Sequence, residues 1–112
     1  MKTPVLGTRI PRDERIKQIM HILQKRPWLR LQLLSEMADL SASRLQHLFK
    51  LETGRSIGAY AKEIQLNMVR DLLLHSRYSL KEISQAVGVP DVANLGRYFK
   101  RRFGYTPCRP QK

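Results

Sequence analysis

From Asp13 onward the apolar residues fall on one helical face: Ile16, Ile19, Met20 and Leu23, at steps of three and four. A 3.6-residue period demands that spacing of a helix with one buried side. Asp13 and Glu14 open the segment and Lys25 and Arg26 close it, the order that the helix dipole favours. Pro27, which has no amide hydrogen, stops it. Residues 31–38, LQLLSEMA, predict a short second helix. After the Asp39-Leu40 turn, Ser41 can cap a third helix that runs to about Thr53, and Gly54 suits the left-handed residue beyond its end. Ser56 can cap a fourth, whose stripe of Ile57, Tyr60, Ala61, Ile64, Met68 and Leu72 is the longest periodic segment of the chain. Ser79-Leu80-Lys81-Glu82 has capping-box spacing and opens a fifth helix, ended by Gly88. Pro90-Asp91 start a sixth that runs to Phe103 and closes at Gly104. No segment reads as a strand, so the pattern predicts an all-α fold.

The pattern also repeats. Leu45, Phe49, Lys50 and Gly54 recur as Leu95, Phe99, Lys100 and Gly104, fifty residues later. Upstream, Leu31, Leu34, Ser35 and Ala38 recur as Leu80, Ile83, Ser84 and Val87, forty-nine residues later. The one-residue slip falls in the turn, where insertions cost least. Each copy is a short helix, a tight turn and a longer helix, which is the helix-turn-helix arrangement. A small residue in each first helix (Ser35, Ser84) lets the second helix cross it closely. Four organisational segments follow: a tail or linker at 1–12, helix-turn-helix subdomains at 13–56 and 77–112, and a linker helix at 57–76. A helix of that length spans about 30 Å, close to the ~34 Å between successive major grooves on one face of B-DNA.

Charge gives the repeat a partner. Twenty-one Lys and Arg against nine Asp and Glu leave a net charge of +12. Such a field attracts polyanions, nucleic acid first and anionic membrane second. The buried Leu/Phe edge of each second helix fixes what faces outward. In the first copy the outward residues are Ser43, Arg44, Gln46, His47 and Lys50; in the second they are Val92, Ala93, Asn94 and Arg97, then Lys100 and Arg101. Gln and Arg can make bidentate contacts with base edges, and Lys and Arg contact phosphates. Double-stranded DNA is therefore the expected partner. The alternative is a protein-interaction module that kept the fold and lost base readout.

Several classes are excluded. No apolar run approaches the ~20 residues of a membrane span, and no secretory signal pattern is present, so neither a membrane partner nor export is expected. A cytoplasmic location is. The single cysteine, Cys108, rules out an internal disulfide. His21, His47 and His75 lie in separate predicted helices without metal-ligand spacing, so no metal or cofactor is expected. No nucleophile–base set or paired carboxylates appear, and the chain does not read as an enzyme. Trp28, after Pro27, is expected to be a packing anchor rather than a stacking platform.

Three stretches, LSEMADLSASRLQHLFKLETGRS, IGAYAKEIQLNMVRDLLLHS and LKEISQAVGVPDVANLGRYFKRRFGYTP, resemble the C-terminal DNA-binding domain of the AraC/XylS transcription regulators. The resemblance covers about residues 13–108. It implies seven helices, monomeric contact with two successive major grooves, and transcription control, with RNA polymerase as a further partner. By motif position it places base reading on Ser43, Gln46 and His47, then on Val92, Ala93, Asn94 and Arg97. Arg44, Lys50, Lys100 and Arg101 are then the phosphate contacts. The sequence departs from the family at Asp39, where a glycine is usual, at Arg30, where a capping Ser is expected, and at Val89 and Leu95, which make the second core smaller. Gly96 lies in a predicted helix interior, and Cys108-Arg109-Pro110-Gln111 replaces the family's continuation into a last helix. Family members usually carry an effector domain ahead of this one. Two expectations follow: a stand-alone regulator or, favoured by the linker-like start, an excised piece that is monomeric in itself and whose parent protein can dimerise through an absent domain.

Overall fold

The computed structural model describes residues 8–107, and every regular element among them is a helix. In chain order these are α1 (Glu14–Lys25), α2 (Leu31–Met37), α3 (Ala42–Thr53), α4 (Ile57–His75), α5 (Leu80–Ala86) and α6 (Val92–Phe103). The position of the seventh helix, after Pro107, lies outside the described residues. The chain divides into two compact units, one running through Ile64 and the other from Gln65, so the boundary falls inside α4.

In the first unit Asp13 precedes α1 and caps it, its carboxylate accepting from the Arg15 amide at 2.8 Å. The Arg15 guanidinium beside it holds the Asp13 carboxyl below its ordinary range. Ile16, Ile19 and Leu23 form the buried face, while Met20 is only half-buried. Leu34, Leu45, Phe49 and Tyr60 are also buried, with the Phe49 and Tyr60 rings edge to face at 5.6 Å. Full burial of each such side chain stabilises the fold by about 1.5–3 kcal/mol relative to exposure. Arg30 gives α2 no side-chain cap, which is the consequence of lacking a serine there. Trp28 is not the anchor expected of it: it stays 43% exposed, and the neighbouring Pro27 is the buried residue.

The turn of this unit is built on Asp39, at φ 56°. Its amide donates to Glu36 O at 3.1 Å, and the Leu40 amide donates to Ser35 O at 3.0 Å. Ser41 then caps α3, its Oγ accepting from the Arg44 amide at 3.1 Å. Gly54 ends α3 at φ 80°, its amide donating to Lys50 O at 2.8 Å.

The second unit repeats this geometry with different residues. Ser79 and Glu82 form a reciprocal capping box at 3.1 and 2.8 Å. Gly88, at φ 84°, takes the place of Asp39, and the Val89 amide donates to Ser84 O at 2.9 Å. Pro90 is the extra residue of this turn. Asp91 caps α6 by accepting from the Ala93 and Asn94 amides at 3.0 and 3.2 Å. The core comprises Leu66, Val69, Leu73, Ile83, Val87, Val89, Leu95 and Phe99. Around it, Phe99, Phe103 and Tyr105 form an aromatic cluster with centroid separations of 4.5 to 6.3 Å. The guanidinium groups of Arg70 and Arg102 lie 5.0 and 4.9 Å from the Phe103 ring centre.

The single α4 stripe read from the sequence is corrected here. Ile57, Tyr60 and Ile64 are buried in the first unit, but Leu66, Val69 and Leu73 are buried in the second. Each set keeps steps of three and four, and the step from Ile64 to Leu66 breaks the series. Met68 and Leu72 are only half-buried against the second core. Polar residues fill in around the break: Gln65 is buried and its Nε2 donates to Val87 O at 2.9 Å, completing the end of α5.

Candidate nucleic-acid interface

The inner edge of α3 is fixed by Leu45 and Phe49, both fully buried. Residues between and beside them on the helix must then point away from the core. Ser43, Arg44, Gln46, His47 and Lys50 are all exposed. The structure brings these five onto one helix face, as the sequence pattern implies. Gln46, His47 and Lys50 line a shallow depression together with Leu51 and Arg9. Arg9 belongs to a stretch whose sequence has no periodicity, and no sequence signal placed it beside α3.

On α6 the inner edge is Leu95 and Phe99. Ala93, Arg97, Lys100 and Arg101 are exposed, whereas Val92 and Asn94 are half-buried. Asn94 is also engaged. Its Nδ2 donates to Asp91 Oδ2 at 3.1 Å, and its Oδ1 accepts from the Arg97 guanidinium. A row Asp91–Asn94–Arg97 therefore runs up the first turns of α6. Lys100, Arg101 and Arg102 follow in the last turn, where the negative end of the helix dipole favours cations.

The two faces share an electrostatic character. Arg44, Lys50, Lys100 and Arg101 make no ion pair among the described residues, whereas Arg15, Lys17 and Arg70 pair with Asp13, Glu14 and Asp71. Cations left without carboxylates raise the local positive potential and favour an anionic partner. No group of His, Cys, Asp and Glu able to hold a metal occurs among the described residues. Nor is any described helix long and apolar enough to cross a membrane.

Residues 34–111 match a family model described as a helix-turn-helix domain, which takes in both copies of the repeat. The chain belongs to the AraC/XylS helix-turn-helix family. This is a family of DNA-binding transcription regulators and not of enzymes. Among AraC/XylS relatives, the Msm operon regulatory protein of Streptococcus mutans is 31% identical over 97 residues, covering 87% of this chain and 34% of its own length. The C-terminal domain of the two-component response regulator yesN from Fusobacterium nucleatum is 30% identical, with a TM-score of 0.72 over 84% of this chain and 91% of that one. The DNA-binding domain of AdpA, solved in complex with a target DNA, superposes with a TM-score of 0.75 at 20% identity, covering 83% of this chain and 86% of that one. At that identity the likeness speaks for the AraC/XylS fold. The chain spans only a third to a quarter of the curated relatives' length, 34% and 25% in two of them.

Proposed function

We propose that this chain binds duplex DNA sequence-specifically and thereby regulates transcription, with α3 and α6 entering two successive major grooves. One observation carries the reading: two helices of the same pattern each bury a Leu/Phe edge and present an outer face of hydrogen-bonding groups and unpaired cations. Ser43, Gln46 and His47 on α3 and Val92, Ala93, Asn94 and Arg97 on α6 read base edges, through hydrogen bonds and contact with thymine methyls. Arg44, Lys50, Lys100 and Arg101 bind phosphates, and the counterions they displace drive the nonspecific part of the affinity. The subdomains 13–56 and 77–112 carry the two readers, and helix 57–76 joins them. The chain acts as a monomer in the cytoplasm, and its bound form contacts RNA polymerase. The Msm operon regulator and the AdpA–DNA complex support this reading by their names and by likeness.

Selection of bound sequences from a random duplex library, followed by salt titration on the winner, tests it. The expected result is a motif in two segments whose centres lie about one helical turn apart, with a steep loss of affinity as salt rises. Enrichment of no sequence, or binding indifferent to salt, would overturn it.

A further inference from the structure

The segment ahead of α1 has no hydrophobic period and two prolines and a glycine among its first eleven residues, so nothing in its sequence fixes its position. Its described end is nevertheless fastened to the C-terminal end of α3 at four points. The Arg9 amide donates to Thr53 O at 2.9 Å, and the Arg9 guanidinium donates to Leu51 O at 3.0 Å. The amides of Arg12 and Asp13 both donate to Glu52 Oε1 at 2.8 Å. Pro11, between them, is buried. The last carbonyls of a helix lack donors within it, and this segment supplies donors to two of those on α3.

That fastening has an electrostatic result. It sets a guanidinium at the negative end of α3, in the same depression as Gln46, His47 and Lys50. The Arg9 guanidinium lies against Gly54, where a Cβ would sit 3.4 Å from its Cζ, Nε and Nη2. Only one of its donors is taken by Leu51 O, and a guanidinium has five. The nearby Glu52 carboxylate is turned to backbone amides, and Arg9 forms no ion pair among the described residues. Two cations, Arg9 and Lys50, thus line one depression with no carboxylate to balance them. A planar fork held by a carbonyl on one side and open on the other matches a phosphate, which it can grip with two parallel bonds.

We propose that Arg9 is an additional DNA-phosphate contact, carried to the outer side of α3 by the segment that precedes α1. The inference rests on the DNA-binding reading above. It makes that segment part of the binding surface instead of a passive lead-in.

The experiment measures binding curves at several salt concentrations for the full chain and for Arg9→Ala, Arg9→Lys and Arg12→Ala, on the selected duplex and on a scrambled one. Arg12 is exposed and uses only its backbone amide in the fastening, so Arg12→Ala removes an equal charge from the same segment. Arg9→Ala is expected to lower the salt slope by about one unit, and affinity near 0.1 M salt by about five- to tenfold, equally on both duplexes. Arg9→Lys keeps the slope, and Arg12→Ala keeps both slope and affinity within about twofold. Melting temperatures of all variants separate lost contact from lost fold. An unchanged slope in Arg9→Ala, an equal loss in Arg12→Ala, or a loss accounted for by unfolding would each overturn the inference. In those cases the unaltered chain still binds DNA. Failure of the DNA reading itself is recognised differently, by an unaltered chain that binds neither duplex.

Discussion

Asn94 Oδ1 accepts a hydrogen bond from the Arg97 guanidinium while Asn94 Nδ2 donates to Asp91, so both polar ends of the Asn94 amide are occupied before any base is met. Reading adenine through Asn94 is left to its second amide hydrogen and second lone pair, in the orientation that these bonds impose. Its neighbours Val92 and Ala93 offer only apolar contact. By contrast, Ser43, Gln46 and His47 on α3 are exposed. The DNA motif recovered by selection is expected to be sharper in the half read by α3. Equal sequence preference in both halves would count against this division of labour.

Gln46 and Lys100 should fail in different ways. Gln46→Ala removes a bidentate group and no charge, so it should cost about 1–3 kcal/mol on the preferred site and relax choice at one position. Its nonspecific affinity should barely move. Lys100→Ala should weaken all sequences about equally and reduce the salt slope by about one unit. Binding curves for both variants on preferred and scrambled duplexes, at several salt concentrations, separate the two roles. Matching losses on the two duplexes for Gln46→Ala would remove it from base readout.

Asp39 and Gly88 hold the same left-handed place in the two turns, at φ 56° and 84°. An L-residue with a Cβ is strained there by about 1–2 kcal/mol, and aspartate by less. Asp39→Gly is therefore expected to raise stability by about 0.5–1 kcal/mol, losing only an exposed attraction to Arg15. Gly88→Ala should lower it by about 1–2 kcal/mol. Urea unfolding followed by circular dichroism checks both, and a loss of stability in Asp39→Gly would show that its side chain holds the turn.

Burial pushes the Tyr60 phenol above its ordinary pKa of 10.0, against the smaller opposing effect of the bond from Gln24. A group whose folded pKa is raised contributes stability that is whole below the unfolded pKa and is lost as pH climbs through the folded one. The chain should lose stability above about pH 10 in part through this residue. Tyr60→Phe leaves Gln24 Nε2, 3.1 Å away, without its acceptor, at a cost of about 1 kcal/mol at neutral pH. Urea midpoints measured at pH 7 and pH 11 should show the gap between the two proteins closing at the higher pH. A gap that stays constant would mean the phenol ionises as easily folded as unfolded.

Helix ends were the most legible part of the sequence. The caps Ser41 and Ser79 and the terminators Gly54 and Gly104 act through bonds to residues within four positions, so their chemistry is local. The outer face of α3 followed from its inner edge, because one buried Leu/Phe pair fixes the rotation of a whole helix; on α6 the same reasoning held for Ala93, Arg97, Lys100 and Arg101, while Val92 and Asn94 in the first turn are half-buried. α4 was misread because periodicity assumes one core per helix, and its residues serve two. Buried Gln65 and Asn67 interrupt the pattern just where the phase changes. Arg9 left no trace, since its position depends on carbonyls that any residue would present. Trp28 departs from the packing role expected of it because the adjoining proline takes the interior place.

The separation between the inner edge of α3 and its outer face bears on how such a regulator diverges. Leu45 and Phe49 are buried and hold the helix, and Ser43, Gln46 and His47 are exposed. On the base-reading role proposed for them, drift in an operator can be followed by substitution at those outer positions with little penalty in folding. Ancestry would then be recorded in the buried pairs and target choice in the exposed ones, two histories written on opposite sides of a twelve-residue helix.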